Sequence, residues 1–346
     1  MDEKNPSSVS FENTENAFAY KSERELRRAH LLFSSMHFPW LVRLGTRITP
    51  WAIRNRLPVR SLLRQTLFAQ FVGGETLRET ARVAERLRQY QVEVILDYGV
   101  EGGEDGERGF DHATEEFIRV VEYASTQPNI PFMSIKVTGI ARLGLLEKLD
   151  SSVHDAAGSL MKRYAHALEQ LNENEKEEWQ RVSARLERIC ETAYRKSVGV
   201  FIDAEETWIQ DPVDVLTILM MEKFNRAKAV VYNTYQLYRH DRLSFLHDSL
   251  EAARQRDFIL GAKLVRGAYM EKERQRAQDM GYASPIQKDK EHTDNDYNEA
   301  IHYCIDHIDR IALVVASHNE NSSLYAIRLM EERGIPHRHP HVHFSQ

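Results

Sequence analysis

The chain has 346 residues, 42% of them apolar and 28% charged, with a formal net charge of -6. This length allows one large domain or two ordinary ones, and the apolar share suffices for a core. The negative balance argues against a general nucleic-acid binder, and Cys190 and Cys304, far apart and without C-x-x-C spacing, supply neither a disulfide framework nor a zinc signature.

Sparse cysteine suits a reducing compartment. The start, Met1-Asp-Glu-Lys-Asn-Pro, has neither the apolar core of a signal peptide nor the Arg-rich, acid-poor character of a transit peptide. No apolar run reaches the roughly 18 residues of a transmembrane helix. A bacterial-type cytoplasmic protein is expected.

Residues 1 to about 20 read as a polar arm. From Ser22 the spacing of Leu26, Ala29, His30, Leu32 and Phe33 predicts a helix. The apolar, aromatic run from Met36 to Gly45 fits a core helix or a patch for a membrane surface. Aromatic stripes usually face protein, so core packing is expected. A further helix is predicted from Thr76 to Tyr90.

Beyond residue 90 short apolar runs alternate with helical stretches. Val92–Asp97 reads as a strand, followed by an acidic, glycine-rich loop from Glu101 to Gly109 and a helix from Ala113 to Ser125. Phe132–Thr138 reads as a strand, and Ser152–Lys196 as a long, charged helical region whose charges cover a solvated exterior. Val198–Asp203 is the next strand, with a helix starting at Asp211 as N-cap and Pro212 in its first turn. Then come Lys228–Tyr232, a helix to about Gln255, the strand Phe258–Val265, a helix from Tyr297 to Ile308, the strand Ile311–Ala316 and a helix from Asn321 to Arg333. The chain stops in His341-Val-His-Phe344.

Short apolar strands suit a parallel sheet buried on both faces. Polar residues end nearly every strand: Asp97, Lys136, Asp203, Asn233, Lys263 with Arg266, and His318 with Asn319. Function spread over many strand ends fits the top face of a (βα)8 barrel. An open doubly wound sheet concentrates its ligand at one switch point, and its G-x-G-x-x-G turn is not seen. About seven strands are found where a barrel needs eight. The expectation is an incomplete (βα)8 TIM-like barrel over residues 91–346 behind an N-terminal helical arm over residues 1–90.

Lys136, inside an apolar strand, is a candidate for a Schiff base or a carboxylate contact, or for an ion pair with a strand-end acid. Asp203, with Glu205 and Glu206 close behind, is a candidate general base or partner for Lys136. A metal is not expected there, nor at His337, His339, His341 and His343, because no complementary ligands accompany them. Asn319 reads equally as a ligand contact or a helix cap. Lys263-Leu-Val-Arg-Gly-Ala-Tyr-Met270 places two cations and a glycine at the end of an apolar strand, which reads either as a strand end with surface charges and a turn glycine or as the wall of an anion-accepting pocket.

Taken together, Phe18-Ala-Tyr-Lys-Ser22, Leu96-Asp-Tyr-Gly-Val-Glu101, Ser134-Ile-Lys-Val-Thr138, Phe201-Ile-Asp-Ala-Glu-Glu206, Tyr232-Asn-Thr-Tyr-Gln236, Lys263–Met270, Ala316-Ser-His-Asn319 and Val342-His-Phe-Ser-Gln346 resemble the proline dehydrogenase family in order and spacing, over nearly the whole length. The monofunctional branch is the better match. The resemblance implies a distorted (βα)8 barrel that binds FAD. It implies oxidation of L-proline to Δ1-pyrroline-5-carboxylate, the first step of degradation to glutamate, with hydride passing from C5 to flavin N5 and electrons to a membrane quinone.

By the same resemblance Lys136 binds the substrate carboxylate, Tyr269 packs at the substrate side, and Glu101 belongs to an ion-pair gate. Asp203 orders the polar network, and Lys263 sits near flavin N5. Asn233 contacts the ring, and Arg266 lies near the phosphates. Ala204, Val265, Gly267, Ala268, Ser317 and His318 complete the cofactor set. The family's pattern continues past Phe-Ser-Gln into an eighth strand and a last helix with an arginine pair that clamps the carboxylate. This sequence stops before them, so a partial sequence of a longer protein is expected. Peripheral contact at the inner face of a bacterial membrane is implied in the same way. A Schiff-base aldolase or lyase using Lys136 or Lys263, and a non-catalytic remnant of the family, are the rival readings.

Overall fold

The computed structural model describes residues 9–55, 57–99, 106–154 and 158–346. The chain divides between Val94 and Ile95 into two compact units. In the first, α1 (Thr14–Phe18), α2 (Glu23–Met36), α3 (Pro39–Arg54), α4 (Arg60–Leu63), a π-helical turn Arg64–Phe68, α5 (Ala69–Phe71) and α6 (Leu77–Arg88) follow one another. Ser22 starts α2 with a capping box: its hydroxyl accepts from Glu25 N–H while the Glu25 carboxylate accepts from Ser22 N–H at 2.8 Å. Among the described residues of this unit only Ala52 and Ala84 are buried. The expected core packing of Met36–Gly45 does not hold, because Phe38, Trp40, Val42 and Leu44 lie exposed.

The second unit runs β1 (Ile95–Asp97), α7 (Glu107–Ala124), β2 (Phe132–Ile135), α8 (Leu143–His154), α9 (Leu160–Glu169), α10 (Glu173–Lys196), β3 (Gly199–Ile202) and α11 (Thr207–Phe224). It continues with β4 (Val231–Gln236), α12 (Arg242–Arg256), β5 (Leu260–Val265), α13 (Met270–Met280), α14 (Lys290–Asp306), β6 (Ile311–Ala316), α15 (Glu320–Glu332) and β7 (Val342–Ser345). All seven strands are parallel and pair in sequence order. Parallel neighbours need crossovers, and the helices supply them. The result is a curled, incomplete TIM-like barrel in which β1 and β7 each have one partner among the described residues.

The register decides what points inward. Pairing of Ser134 with Phe201, Phe201 with Tyr232 and Thr234 with Lys263 puts these side chains on one face. The floor of the barrel is aromatic. Phe132 stacks on Phe201 at 4.7 Å and Tyr232 meets both edge-on. A Cβ at Gly199 would fall 2.2 Å from the Phe132 ring, and one at Gly261 2.9 Å from Tyr232, so these glycines make room for the floor. On the outer side α11 is buried over nearly its whole surface, because α8, α10 and β4 all pack on it.

Several boundaries moved, some for local and some for tertiary reasons. The helix expected from Ala113 begins at Glu107, after Gly106 at positive φ. The region 152–196 is the end of α8 followed by α9 and α10, the last with its own capping box at Asn172 and Glu175. Asp211 is not an N-cap: α11 starts at Thr207, and Asp211 N–H donates to Asp150 from α8 at 3.0 Å. The true cap comes from α13, where the buried Glu273 carboxylate accepts from both Thr207 N–H and Thr207 Oγ1 at 2.7 Å.

Candidate active site at the strand ends

Above the aromatic floor the next inward layer is polar. Asp203, one residue beyond β3, receives Ser134 Oγ at 2.5 Å on one oxygen and Lys263 Nζ at 2.7 Å on the other. Thr234 Oγ1 adds a longer contact at 3.3 Å. Three strands are thus tied through one carboxylate. The pair is largely enclosed, with side chains 14% and 18% exposed, so its geometry is held by packing and not by solvent. Lys263 Nζ also lies 5.1 Å above the Phe201 ring. An ammonium has three donors, and Asp203 takes one of them.

This layer forms the base of a cavity of about 710 Å³ at the C-terminal ends of β2 to β6. Of the residues expected at a site, Lys136, Asp203, Ala204, Lys263, Val265, Arg266, Gly267, Ala268, Tyr269, Ser317 and His318 line it. Asn319, read as a ligand contact or a helix cap, lines it too, and Thr234, Gln236 and Lys290, not expected there, join them. Lys136 stands just past β2 instead of inside it, half-buried, where the chain enters a 3-10 turn. Glu101 lies outside the described residues.

One assignment changes. Asn233 pairs in register with Ala262 and faces the helix layer, donating to Asp214 Oδ1 at 2.8 Å. It does not line the cavity; Thr234 and Gln236, the next inward positions, do. Gln236 Nε2 reaches the Ala204 carbonyl at 3.3 Å, which leaves buried Oε1 without a protein donor. A buried amide oxygen without a donor is costly, so a ligand N–H or a water fits it.

Arg266 lines the cavity and is anchored by the protein. Its guanidinium donates to Asp294 at 2.8 Å, Ser317 Oγ at 2.7 Å and Ser322 Oγ at 2.9 Å, stacked 4.2 Å over Tyr297. It fastens β5 to α14 and to the head of α15. A second cation on the same wall is Lys290, the first residue of α14, paired with Asp294. Gly267 serves a neighbour: its φ is +133°, and a Cβ there would lie 2.4 Å from the Tyr238 ring. Asn319 turns out to be both wall and cap, accepting from Ser322 N–H at 3.1 Å.

Behind the wall runs a buried polar chain. Glu205 accepts from Thr138 N–H and Oγ1, and its own N–H donates to Gln210, which donates to Asp214. Asp214 also receives Arg242 at 2.7 Å. Burial pushes the Glu205 carboxyl up to about 7, against the Thr138 hydrogen bonds that favour its ionised form. The tight Arg239 and Arg242 pairing holds Asp241 well below the usual carboxylate range. These groups fix the loop after β3, which carries Asp203 and Ala204.

A family model described as proline dehydrogenase matches residues 80–346. The chain belongs to the proline dehydrogenase family. It is 33% identical to the hydroxyproline dehydrogenase of Xenopus laevis, over 95% of this chain and 75% of that one. Identity to the mitochondrial proline dehydrogenase 1 of Dictyostelium discoideum is 29%, covering 84% of this chain and 55% of that one. The human hydroxyproline dehydrogenase is 30% identical over 95% of this chain and 78% of its own. Among solved structures, proline utilization A from Bdellovibrio bacteriovorus, inactivated by N-propargylglycine, superimposes with a TM-score of 0.64 at 18% identity. That match covers 79% of this chain and 27% of the larger protein, and it establishes the barrel fold alone.

The family assignment makes the barrel that of an oxidoreductase. Within it, the one described cluster with metal-ligand spacing, Asp150, His154 and Asp211, joins α8 to α11 and shares no residue with the cavity wall. The four C-terminal histidines have separate partners: His337 faces Glu331, His339 accepts from His341 N–H, His341 meets the Ile308 carbonyl, and His343 packs on Phe132.

Proposed function

We propose that the cavity is the active site of an FAD-dependent proline dehydrogenase. It would convert L-proline to Δ1-pyrroline-5-carboxylate, with a quinone as electron acceptor. The observation that carries this reading is the convergence of Lys136, Lys263 and Lys290 around one cavity in a chain of this family, with a single carboxylate, Asp203, at its base.

The residues fit the flavin. Lys263 offers a charge fixed by Asp203 and Ser134, so no reorganisation is needed when negative charge develops beside it. Gln236 Oε1 is an acceptor awaiting a donor. Ser317 and His318 lead into α15 and Lys290 opens α14, which suits the anionic part of the cofactor. When bound, FAD supplies the two-electron acceptor for the hydride released from C5.

The chain's own residues orient the other reactant. Lys136 opposes the substrate carboxylate, and Tyr269 closes the apolar side of the ring. The aromatic floor of Phe132, Phe201 and Tyr232 excludes water beneath Lys263. Nothing in this arrangement asks for a lysine adduct, since Lys263 is held as a charged partner of Asp203. Relatives named as proline and hydroxyproline dehydrogenases support a five-membered cyclic amino acid as the substrate class.

The test is purification with FAD followed by anaerobic addition of proline and then hydroxyproline. Bleaching of the flavin band with reoxidation by a soluble quinone is the expected result. A protein that binds FAD yet shows no reduction by either amino acid sinks the reading. Borohydride trapping of a substrate on lysine would move it to the Schiff-base alternative.

A further inference from the structure

Three acids follow β3, and the fold gives each a different task. Asp203 holds Lys263, and Glu206 pairs with Lys272. Glu205, between them, is buried behind the cavity wall and bonds to a neutral residue. Its Oε1 accepts from Thr138 N–H at 3.2 Å and its Oε2 from Thr138 Oγ1 at 2.6 Å. A carboxylate is costly to bury, so its two bonds to one threonine call for a reason.

The reason stands two residues before that threonine. Beyond β2 the chain enters the 3-10 turn Val137–Gly139, with Lys136 as its N-cap. The first N–H groups of a helical turn have no partner within it. Thr138 N–H is one of them, and the turn is buried, so its acceptor has to come from the protein. Glu205 supplies it from the loop of the neighbouring strand. Gly139 N–H closes the turn on the Lys136 carbonyl at 3.1 Å. Lys136 itself is half-buried and lines the cavity, so the turn that Glu205 caps is also the base of the Lys136 side chain. The carboxylate is fixed in its turn, since Glu205 N–H donates to Gln210 Oε1 at 2.9 Å. The two charges also act on each other: burial pushes the Glu205 carboxyl up, while the Thr138 bonds and the Lys136 ammonium draw it down.

We propose that Glu205 is a positioning residue for Lys136: through the Thr138 turn it aims the Lys136 ammonium at the carboxylate of the cyclic amino acid. The inference rests on the active-site reading and adds to it a residue that does not touch the substrate. A lysine stem is flexible, so the origin and direction of its backbone are what the fold can set in advance. The contact is made to the substrate carboxylate, away from the carbon that is oxidised. Glu205 therefore serves substrate affinity more than the hydride step.

The experiment measures the affinity of the FAD-loaded chain for cyclopentanecarboxylate, which has the ring and the carboxylate but no amine. Perturbation of the flavin spectrum reads binding, and turnover with proline is followed beside it. Glu205→Ala should weaken cyclopentanecarboxylate by roughly tenfold, as for one misaligned charge-assisted contact, and raise KM for proline more than it lowers kcat. Glu205→Gln can accept from Thr138 N–H and donate to Thr138 Oγ1, so it should restore most of the affinity. With Lys136→Met in place, adding Glu205→Ala should change kcat/KM by less than about twofold. Thr138→Val loses only the hydroxyl bond and is the milder variant should Glu205→Ala fail to fold. A loss of about threefold that Lys136→Met abolishes supports the inference. Unchanged affinity in Glu205→Ala or Thr138→Val, or equal losses with and without Lys136, overturns it alone. A wild type that binds neither proline nor cyclopentanecarboxylate sinks the active-site reading together with it.

Discussion

Asp203 and Lys263 are joined at 2.7 Å beneath the cavity, and Asp203 also takes the Ser134 hydroxyl at 2.5 Å, so one carboxylate sets the position of the cation at the cavity floor. Removing Asp203 would leave a largely enclosed ammonium without its partner. Asp203→Ala is therefore expected to cost about 3 kcal/mol of stability, read by urea unfolding. It should also cost on the order of a hundredfold in turnover with a soluble acceptor. Asp203→Asn keeps an acceptor for Ser134 and should be milder in stability than in turnover. Equal turnover in wild type and Asp203→Ala would remove this pair from the chemistry.

Asn233 and Gln236 separate structure from ligand binding on a single strand. Asn233 faces Asp214 in the helix layer, while Gln236 lines the cavity with a free acceptor. Asn233→Ala should unfold at lower urea, by about 1 to 3 kcal/mol for the unpaired groups it leaves, with unchanged FAD affinity. Gln236→Ala should keep its stability and lose FAD affinity by roughly tenfold, measured by flavin fluorescence. The opposite pattern would return Asn233 to the cavity wall.

The same strand explains what was legible in the sequence. Charged residues at the ends of apolar runs are costly unless something receives them, which is why Lys136, Asp203 and Lys263 could be picked out one by one. The parallel sheet was legible for the same reason: strands such as Ile311–Ala316 are apolar on both faces. Tyr232-Asn-Thr-Tyr-Gln236 is polar on both faces, so its sequence alone does not say which amide looks inward. That is decided by Asp214, which lies on α11 and satisfies Asn233 from behind. Glu273 capping α11 from α13 is unreadable for a like reason, since cap and helix are far apart in sequence. Lys290 carried no strand to mark it; its place follows from the fold of α14.

Gly267 tests how the cavity wall is held. A side chain there meets the Tyr238 ring at 2.4 Å and forces a residue to φ +133°. Gly267→Ala is expected to lose roughly 2 kcal/mol or more, from strain and clash together. Replacing Tyr238 by alanine in the same chain relieves the clash and leaves the strain, so the double variant should recover only part of the loss. Full recovery would mean that the backbone conformation at this position costs nothing.

Asp150 gives a pH dependence with a definite sign. Its carboxyl is buried beside Asp211 and is pushed up to about 8, above the ordinary 3.8, by desolvation first and by the neighbouring carboxylate second. A raised folded-state value means that the folded protein holds a proton which the unfolded chain releases. The stabilisation is complete below about 4 and is lost as pH rises through about 8. Glu205, pushed up to about 7, acts in the same direction. Asp150→Asn keeps an acceptor for Asp211 N–H and cannot ionise. Relative to wild type, this variant should therefore gain stability between about pH 5 and pH 8.5, by a few kcal/mol at most. Urea unfolding at both pH values reads the gain directly. A wild type and an Asp150→Asn variant that fall in parallel over this range would show that the proton is not held there.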